Sequence, residues 1–286
     1  MKIDLHIHTS CSDGAMPLEE VMAEAKRRRI DFMSITDHDN VDCQPQAVSL
    51  AKQVGIAYVP GVELNVTFPY NNKSVSLDFL GYRYDIESSK LQNKLKVLRD
   101  HREKRAHQIM ENLNSEFDKE GIERLTGDDI KKIEASVDGA FGRPHIARYM
   151  MEKGIVSSIQ EAFDKYLVRF DVPKYPLSLA EASGLVRHAG GLLVLAHAND
   201  SHGTSLYTIT QDLKEQTDII AKHMLRYIDG VECWHSQHDE KTAQHYADFA
   251  RAHKLLMTGG SDCHQKPISM GSIDIPDWVA GQFKSL

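Results

Sequence analysis

The sequence predicts an α/β fold with a mainly parallel sheet, either an α/β barrel or a doubly wound sheet. Seven short apolar runs have the length and the bounding residues of strands, and several gaps between them show helical periodicity. Strands that alternate with helices are typical of parallel α/β architectures. In chain order, the predicted strands are 2–7, 32–36, 57–62, 75–82, 192–196, 230–234 and 255–258.

Three of the gaps contain clear helix signals. Pro17 is a suitable first helical residue, and it is followed by apolar residues on one helical face, at positions 18, 21, 22 and 25. A second helix is expected at about 179–189, where Gly190 and Gly191 end it, and a third at about 239–253.

The alternation of strands and helices is interrupted once. Between about residues 84 and 176 only helical periodicity and turns occur, which predicts a helical insertion between the fourth and fifth strands. The predicted organisation is therefore one domain formed by 1–84 and 177–286, with 85–176 as the insertion that covers it.

Composition excludes several classes of protein. Hydrophobic residues make up 41% and charged residues 26% of the chain, as in folded globular proteins. No apolar run approaches the roughly 18–20 residues of a membrane span, and the polar N-terminus favours a cytoplasmic protein. The net charge of −7 argues against binding of an extended nucleic-acid duplex. Because no CxxC pair occurs, reduced thiols are expected at Cys11, Cys43, Cys233 and Cys263.

Histidine and carboxylate side chains follow the ends of the predicted strands. The chain contains 15 histidines, several of them next to Asp or Glu. Because the carboxyl ends of parallel strands meet at one edge of a sheet, we expect these side chains to lie close together. The candidate metal ligands are His6, His8, Asp13, His38, Glu63, Asp78, His197, Asp262 and His264.

The types of ligand narrow the chemistry of this site. His6 and His8 are two residues apart, so on a strand they face the same side and can bind one ion. Imidazole and carboxylate groups without a thiolate cluster suit zinc, manganese or iron better than calcium. Nine ligands exceed what one ion of about four to six ligands can use, which implies about two or three divalent ions. Closely spaced ions of this kind are typical of phosphoryl transfer by a bridging hydroxide.

Motifs along nearly the whole chain resemble those of the PHP (polymerase and histidinol phosphatase) family, in the order in which the family has them. They are Asp4-Leu5-His6-Ile7-His8-Thr9, Ser12-Asp13-Gly14, Thr36-Asp37-His38-Asp39, Gly61-Val62-Glu63, Ala196-His197 and Ser261-Asp262-Cys263-His264. The resemblance implies a distorted seven-stranded (βα) barrel with a trinuclear metal centre and phosphoester hydrolysis. The chain looks most similar to the small stand-alone phosphoesterases, whose helical insertion carries a motif like Gly142-Arg143-Pro144-His145.

The resemblance also implies how the ligands are divided among the ions. The first ion would be held by His6, His8, Glu63 and Asp262. Glu63 would bridge to a second ion, which Asp78 and His197 would also hold. The third ion would be held by Asp13, His38 and His264. Asp37 and Asp39 are expected to make hydrogen bonds at the strand end, whereas no spacing argument assigns a role to Glu232 or His235.

Asp78 departs from the family pattern, because this subgroup commonly has a histidine before a pair like Leu80-Gly81. A carboxylate there favours iron, manganese or magnesium relative to zinc. Amidohydrolase barrels share the paired histidines and a late Asp, but their binuclear members often use a carbamylated lysine on strand four. Here Lys73 lies at the start of that strand, so amide or ester hydrolysis is a minor alternative.

The insertion carries cations that could bind a phosphate. Arg102 and Arg105 continue the apolar stripe of a helix, so each must either pair with a buried carboxylate or face a cavity that receives an anion. Arg143 and His145 flank Pro144 in a short motif, and a guanidinium can bind phosphate with two hydrogen bonds. Arg143 and His145 are therefore the predicted catalytic residues that orient the phosphate, with Arg102 and Arg105 as further substrate contacts.

The expected function is a metal-dependent phosphoesterase in which a metal-bound hydroxide attacks phosphorus. By resemblance, the substrate is a phosphomonoester or small nucleotide, with 3′,5′-nucleoside bisphosphates and oligonucleotide ends as leading candidates. Two alternatives stay open, a histidinol-phosphate phosphatase and a non-catalytic metal-bound sensor of phosphate or nucleotide. Imidazole or carboxylate at all nine ligand positions argues against the sensor. The sequence makes no prediction about the oligomeric state.

Overall fold

The computed structural model describes residues 1–135, 141–202, 204–266 and 268–283. The described residues contain eight strands arranged in two sheets. The strands are β1 (Ile3–Asp4), β2 (Phe32–Met33), β3 (Ala57–Tyr58), β4 (Gly61–Tyr70), β5 (Lys73–Tyr82), β6 (Leu192–Leu195), β7 (Gly230–His235) and β8 (Leu256–Gly260).

The two sheets differ in strand direction. Strands β1, β2 and β3 form a parallel sheet, whereas the second sheet has the order β4-β5-β6-β7-β8. In the second sheet β5 is antiparallel to both β4 and β6, and β6, β7 and β8 are parallel. Single bridges connect the sheets at two places, Ile7 with Cys263 and His38 with Glu63. The fold is therefore an α/β fold whose sheets meet where the candidate ligands lie.

The predicted strand 57–62 is wrong, because the structure has two strands there. Pro60 lacks a backbone N–H and separates β3 from β4. Strand β4 then continues to Tyr70 and forms an antiparallel hairpin with β5, so this part of the sheet is not parallel. At the hairpin turn, Asn71 and Asn72 both have positive φ, 47° and 61°, which suits a two-residue turn of the primed type. The Asn-Asn pair was the sequence signal for this hairpin.

Ten α-helices surround the sheets in the described part of the chain. They are α1 (Leu18–Arg27), α2 (Gln44–Val54), α3 (Ser89–Glu120), α4 (Gly127–Ala135), α5 (Arg143–Glu152), α6 (Ile159–Ala162), α7 (Leu179–His188), α8 (Leu213–His223), α9 (Glu240–Ala252) and α10 (Trp278–Gln282). Helices α1, α7 and α9 confirm the three predicted helices. None of the helices described is both long and apolar enough to cross a membrane.

Between β5 and β6 the described residues contain helices and no strand. The later half of α3 packs with α5 and with a short π-helix (Phe163–Leu167) in an apolar cluster of its own, which includes Ile109, Phe117 and Ile146. The first half of α3 packs instead with β4 and β5, through Leu91 and other residues of its apolar face. Helix α3 thus belongs to both apolar clusters, and the division into a barrel domain and an insertion domain stays a prediction.

The expectation of four reduced thiols is wrong for two of the cysteines. Cys11 and Cys43 form a disulfide, whereas Cys233 and Cys263 are free and buried. The two cysteines are 32 residues apart in the sequence, so no local pattern predicts their pairing. They pair because the loops after β1 and β2 lie side by side. The Asn40 side-chain amide donates a 2.6 Å hydrogen bond to the Cys11 carbonyl and holds the two loops together.

Candidate metal centre

The structure brings all nine candidate ligands together at the edge where the two sheets meet. They form three groups, and within each group one potential ligand atom per residue lies within 4.8 Å of the others. The groups are His8, Asp13, His38 and His264; His6, His8, Glu63 and Asp262; and Glu63, Asp78 and His197. This is the membership that the family resemblance implied, with His8 added to the first of these groups.

Backbone hydrogen bonds place the residues that follow β1 beside the residues that follow β8. The Asp262 N–H donates to the His6 carbonyl at 2.8 Å, and the His8 N–H donates to the Cys263 carbonyl at 3.1 Å. This close approach requires glycine at position 260, since a Cβ there would lie 2.3 Å from the His6 Cβ. Gly260 therefore allows Asp262 to lie beside the two histidines.

Three residues at this edge have backbone conformations that are uncommon for residues with side chains. Asp39, His197 and Asp262 have φ values of 49°, 22° and 54°. Such conformations cost of the order of 1–3 kcal/mol each and cluster at functional sites, where the surrounding structure holds them. The strain sets the direction in which these side chains leave the strand ends.

Glu63 lies at the centre of the ligand groups. The sequence predicted Glu63 after a strand, but it lies inside β4. It reaches the site because it forms a parallel bridge with His38, beyond the end of β2. Its Oε2 lies 3.1 Å from His8 Nε2 and 3.3 Å from His38 Nδ1, and its Oε1 lies 3.0 Å from His197 Nε2. Burial raises the pKa of the Glu63 carboxyl, but the surrounding histidines hold that pKa well below its ordinary value.

The same contacts act on the histidines. Burial lowers the pKa of His197, but its hydrogen bond to Glu63 and the nearby carboxylates raise the pKa to about 10. At His38 burial prevails and the pKa is lowered. In the metal-free protein the site therefore takes up protons that a bound cation would displace.

Several buried polar atoms here lie close to other ligand atoms but form no hydrogen bond of good geometry among the described residues, namely His8 Nε2, His38 Nδ1 and Asp262 Oδ1. Leaving such groups unsatisfied costs about 1–3 kcal/mol each, so their lone pairs need a partner. Imidazole nitrogen and carboxylate oxygen are the ligand atoms that zinc, manganese and iron prefer. The residues present thus fit divalent metal ions.

Two hydrogen bonds from neighbouring side chains hold the Asp78 carboxylate in place. The Asn65 side-chain amide donates to Oδ1 at 2.5 Å from the position opposite Asp78 in the hairpin, and the Thr204 hydroxyl donates to Oδ2. Asp78 Oδ2 lies 3.9 Å from His197 Nε2. Burial and the nearby Glu63 raise the pKa of Asp78. A cation in this group would offset the repulsion between the two carboxylates.

Sequence reasoning missed Glu232 and His235 of β7. Glu232 is fully buried and accepts hydrogen bonds from His6 Nδ1 at 3.1 Å and from the His197 N–H at 2.8 Å. His235 Nε2 lies 3.6 Å from Asp262 Oδ2. A spacing of three puts residues on opposite faces of a regular strand, but β7 contains a bulge, so that Glu232 and His235 pair with residues two apart on β8.

Asp37 makes the strand-end hydrogen bonds expected from its position. It accepts from the Thr9 N–H at 2.8 Å, from the Thr9 hydroxyl at 2.7 Å and from the Ser12 hydroxyl at 2.6 Å. These bonds order the loop between His8 and Asp13. Asp39 has a different partner, because it forms an ion pair with Arg102 Nε at 2.5 Å and connects this edge to helix α3.

The cations of the helical segment face the ligand groups across one cavity of about 380 Å³. Arg105 donates from Nε to the Val172 carbonyl at 2.5 Å and pairs through Nη2 with Asp171. Arg143 Nη1 lies 2.9 Å from the other oxygen of Asp171. Arg102 pairs with the buried Asp39, Arg105 pairs with the partly exposed Asp171, and both arginines also line the cavity.

His145 is placed differently from Arg143. Its ring is buried, and its Nδ1 accepts a hydrogen bond at 3.1 Å from the Gly142 N–H at the start of α5. Gly142, Arg143 and Pro144 line the cavity, whereas His145 is not among the described residues that do so. The structure thus brings the arginines to the cavity and places His145 behind them.

An α/β fold with carboxylate and imidazole groups facing arginines across a cavity defines a metal-dependent enzyme for phosphorylated substrates. The PHP domain family matches residues 4–180, more than half of the chain, and the protein belongs to this family. The chain is 29% identical over 270 residues to the 5′-3′ exoribonuclease Rnm of Escherichia coli, covering 92% of this chain and 85% of that one. It is 28% identical over 275 residues to the 3′,5′-nucleoside bisphosphate phosphatase of Chromobacterium violaceum, covering 92% and 87%.

A solved structure has the same fold along nearly the whole chain. It is a protein from Bifidobacterium adolescentis that is described as a metal-dependent phosphoesterase, with a TM-score of 0.81 and 26% sequence identity. The similarity covers 98% of this chain and 94% of that one. Together these relatives show that the protein is a hydrolase of phosphate esters that depends on metal ions.

Proposed function

We propose that the protein hydrolyses a phosphate ester of a small nucleotide, either a 3′,5′-nucleoside bisphosphate or the end of a short oligonucleotide. The observation that carries this proposal is the single cavity lined on one side by Glu63, Asp78 and Asp262 and on the other by arginines. A bisphosphate phosphatase and an exoribonuclease are among the relatives, and both act on nucleotide phosphates.

The three ligand groups would hold about two or three divalent ions of manganese, iron or zinc, with magnesium possible in the group that contains Asp78. Such ions, when bound, supply a water-derived nucleophile near neutral pH and offset negative charge on the phosphate. Glu232 would keep the His6 and His197 segments in place through its hydrogen bonds to both.

The cations on the opposite side would bind and orient the phosphate. Arg143 uses one nitrogen for Asp171, so the remaining guanidinium donors can bind phosphate oxygens. Arg102 and Arg105 are fixed in the same way by Asp39 and Asp171, and they would add positive charge on the same wall. His145 would act as a positioning residue, because its hydrogen bond to Gly142 holds the start of α5.

The distorted seven-stranded barrel with its inserted helices is part of this proposal. We infer that the two sheets are two arcs of that barrel, since bridges join them at Ile7–Cys263 and at His38–Glu63. The β4–β5 hairpin would be the distortion, and residues 85–176 would cover the carboxyl end of the barrel. Such a cover would place the cations over the ligand groups.

The test is a phosphate-release screen with metal analysis of the same preparation. Substrates are 3′,5′-nucleoside bisphosphates, nucleoside monophosphates, short oligoribonucleotides and histidinol phosphate. We expect release from the bisphosphates or oligonucleotides, about two to three ions per chain, and loss of both after chelation. Preference for histidinol phosphate would support the runner-up, and phosphate binding without turnover would support a sensor. Full activity in protein shown to be free of metal would overturn the proposal.

A further inference from the structure

We propose that Lys174 binds a second phosphate of the substrate, and that this residue makes the enzyme prefer bisphosphorylated nucleotides over monophosphates. The inference rests on the proposed function and adds a specificity-determining residue to it. It is drawn from a difference among the four long cationic side chains that line the cavity, Arg102, Arg105, Arg143 and Lys174.

Three of these four cations are already held by the protein. Arg102 pairs with Asp39, and Arg105 and Arg143 share the two carboxylate oxygens of Asp171. Lys174, by contrast, makes no ion pair or hydrogen bond through its ammonium group among the described residues. The ammonium group is therefore the one of these four cations whose charge is left for a ligand.

Lys174 lies near Asp78 of one ligand group and at the boundary between two spaces. It lines the 380 Å³ cavity and also a small adjoining pocket, whose walls include Leu98, His101 and Tyr175. Arg102 and Arg105 are the other cations shared by the two spaces. A phosphate held at the ligand groups would thus leave a second phosphate of the same nucleotide on the side where Lys174 lies.

The backbone around Lys174 is fixed on both sides. Pro173 precedes it, and the Val172 carbonyl accepts the hydrogen bond from Arg105 Nε at 2.5 Å. The next residue, Tyr175, accepts a hydrogen bond from Lys94 Nζ at 3.0 Å through its hydroxyl. The backbone from which the Lys174 side chain extends is consequently held in place before a ligand arrives.

The local charge balance favours an anion at this point. Burial lowers the pKa of Lys174 to about 8; the Asp78 carboxylate raises it, and the three arginines lower it further. Near neutral pH the side chain is still mostly protonated, so the four cations here outnumber their two partner carboxylates, Asp39 and Asp171. A bound phosphate would relieve their mutual repulsion and accept hydrogen bonds from the ammonium group.

Kinetics with paired substrates test the inference. Lys174→Met keeps the length of the side chain and removes its charge, and Lys174→Arg restores a cation. For Lys174→Met we expect kcat/KM for a nucleoside 3′,5′-bisphosphate to fall about ten- to a hundredfold, mainly through KM. The corresponding 3′- and 5′-monophosphates should change by less than about twofold, and Lys174→Arg should recover much of the loss. Lys104→Met removes a lysine from the exposed side of α3 and is the control for a general charge effect.

Two kinetic results would overturn the inference. An equal loss with bisphosphate and monophosphates would mean that Lys174 acts on the phosphate that is cleaved, and unchanged kinetics would mean that it contacts no phosphate. Calorimetric titration of the same nucleotides into wild type and Lys174→Met measures binding without turnover. If wild type released no phosphate from any nucleotide, the proposed function would fail. In that case equal bisphosphate affinity in the two proteins would reject the Lys174 inference as well, whereas weaker binding to Lys174→Met would support it.

Discussion

The two sides of the cavity differ in both charge and construction. The ligand side consists of imidazoles and carboxylates at strand ends, where backbone bonds such as Asp262 N–H to the His6 carbonyl fix them. The cation side comes from α3, α5 and the segment before α7, and its guanidiniums are held by ion pairs such as that of Arg143 with Asp171. The candidate metal ligands thus lie mainly at strand ends, and the candidate substrate-binding cations lie on helices and on the segment before α7.

This difference predicts different consequences of mutation. Removing a group from the ligand side should abolish the chemistry, because an ion needs its full set of donors. Removing a guanidinium should weaken binding and orientation but leave the metal ions in place. Several contacts join the two sides, among them the Asp39–Arg102 ion pair and the hydrogen bond from Arg148 Nη2 to the Asp13 carbonyl, so effects on one side can reach the other through them.

The largest effect is expected from His8→Ala, because His8 belongs to two ligand groups. We expect kcat/KM to fall about a thousandfold or more together with loss of bound metal, since the ions supply several kcal/mol of transition-state stabilisation. Circular dichroism should show a folded protein. His188→Ala removes an exposed histidine far from the cavity and should keep both metal and activity. Normal metal content in His8→Ala would show that His8 is not a ligand.

A second prediction concerns the disulfide between Cys11 and Cys43 on the ligand side. Cys43→Ser should lower the free energy of unfolding by about 3–4 kcal/mol, as the chain-entropy model gives for a disulfide that spans 32 residues. Denaturation should be measured with and without a reductant. Reductant should destabilise wild type and leave Cys43→Ser unchanged. An identical response of the two proteins would mean that Cys11 and Cys43 are thiols in solution.

A matched pair of variants on the cation side distinguishes binding of the phosphate from stabilisation of the fold. Arg143→Ala should lower kcat/KM about ten- to a hundredfold with unchanged metal content, since a charged hydrogen bond to phosphate contributes roughly 1.5–3 kcal/mol. Arg105→Ala should mainly lower the melting temperature, because Arg105 is buried and holds both Asp171 and the Val172 carbonyl. Arg187→Ala removes an exposed arginine paired with Asp229 and is the control. Unaltered kinetics in both variants would place the phosphate elsewhere.

The smallest effect is expected in the helical segment, away from the cavity. Burial raises the pKa of Asp129, but hydrogen bonds from Tyr149 and Thr126 and the ammonium group of Lys153 hold the pKa below its ordinary value of 3.8. A carboxyl whose pKa is lower in the folded than in the unfolded state stabilises the protein above its ordinary pKa, and this contribution is lost as the pH falls further.

Asp129→Asn tests the direction in which this contribution to stability changes with pH. At pH 6 to 7 the variant should be about 1–2 kcal/mol less stable than wild type, because it loses hydrogen bonds to a charged group. The difference in melting temperature should shrink as the pH falls from about 5 to 2. Activity should not change, since Asp129 does not line the cavity described here. A difference that grows on acidification would contradict the assigned pKa direction.

Much of the ligand side was readable from the sequence. His6 and His8 are local neighbours on one strand, and most of the other ligands follow predicted strands, so strand ends bring most of them to one edge. Asp78 was predicted within a strand, and the structure places both Glu63 and Asp78 inside strands. Glu232 and His235 were not readable in this way, because their common direction depends on a bulge that only pairing with β8 reveals. The β4–β5 hairpin was missed for a related reason, since its buried strand lacks a regular polar alternation.

The amino-acid sequence alone was enough to predict most of the order of strands and helices, though not the β4–β5 hairpin, together with the nine candidate ligands and the resemblance to a family of metal-dependent phosphoesterases. These depend on local pattern and on motif, which a linear chain carries. Folding was needed to reveal the ion pairs of Asp39 with Arg102 and of Asp171 with Arg105 and Arg143, and the disulfide between Cys11 and Cys43. These contacts join residues that are far apart in the chain, and their energies depend on distance and burial, which exist only once the chain has folded.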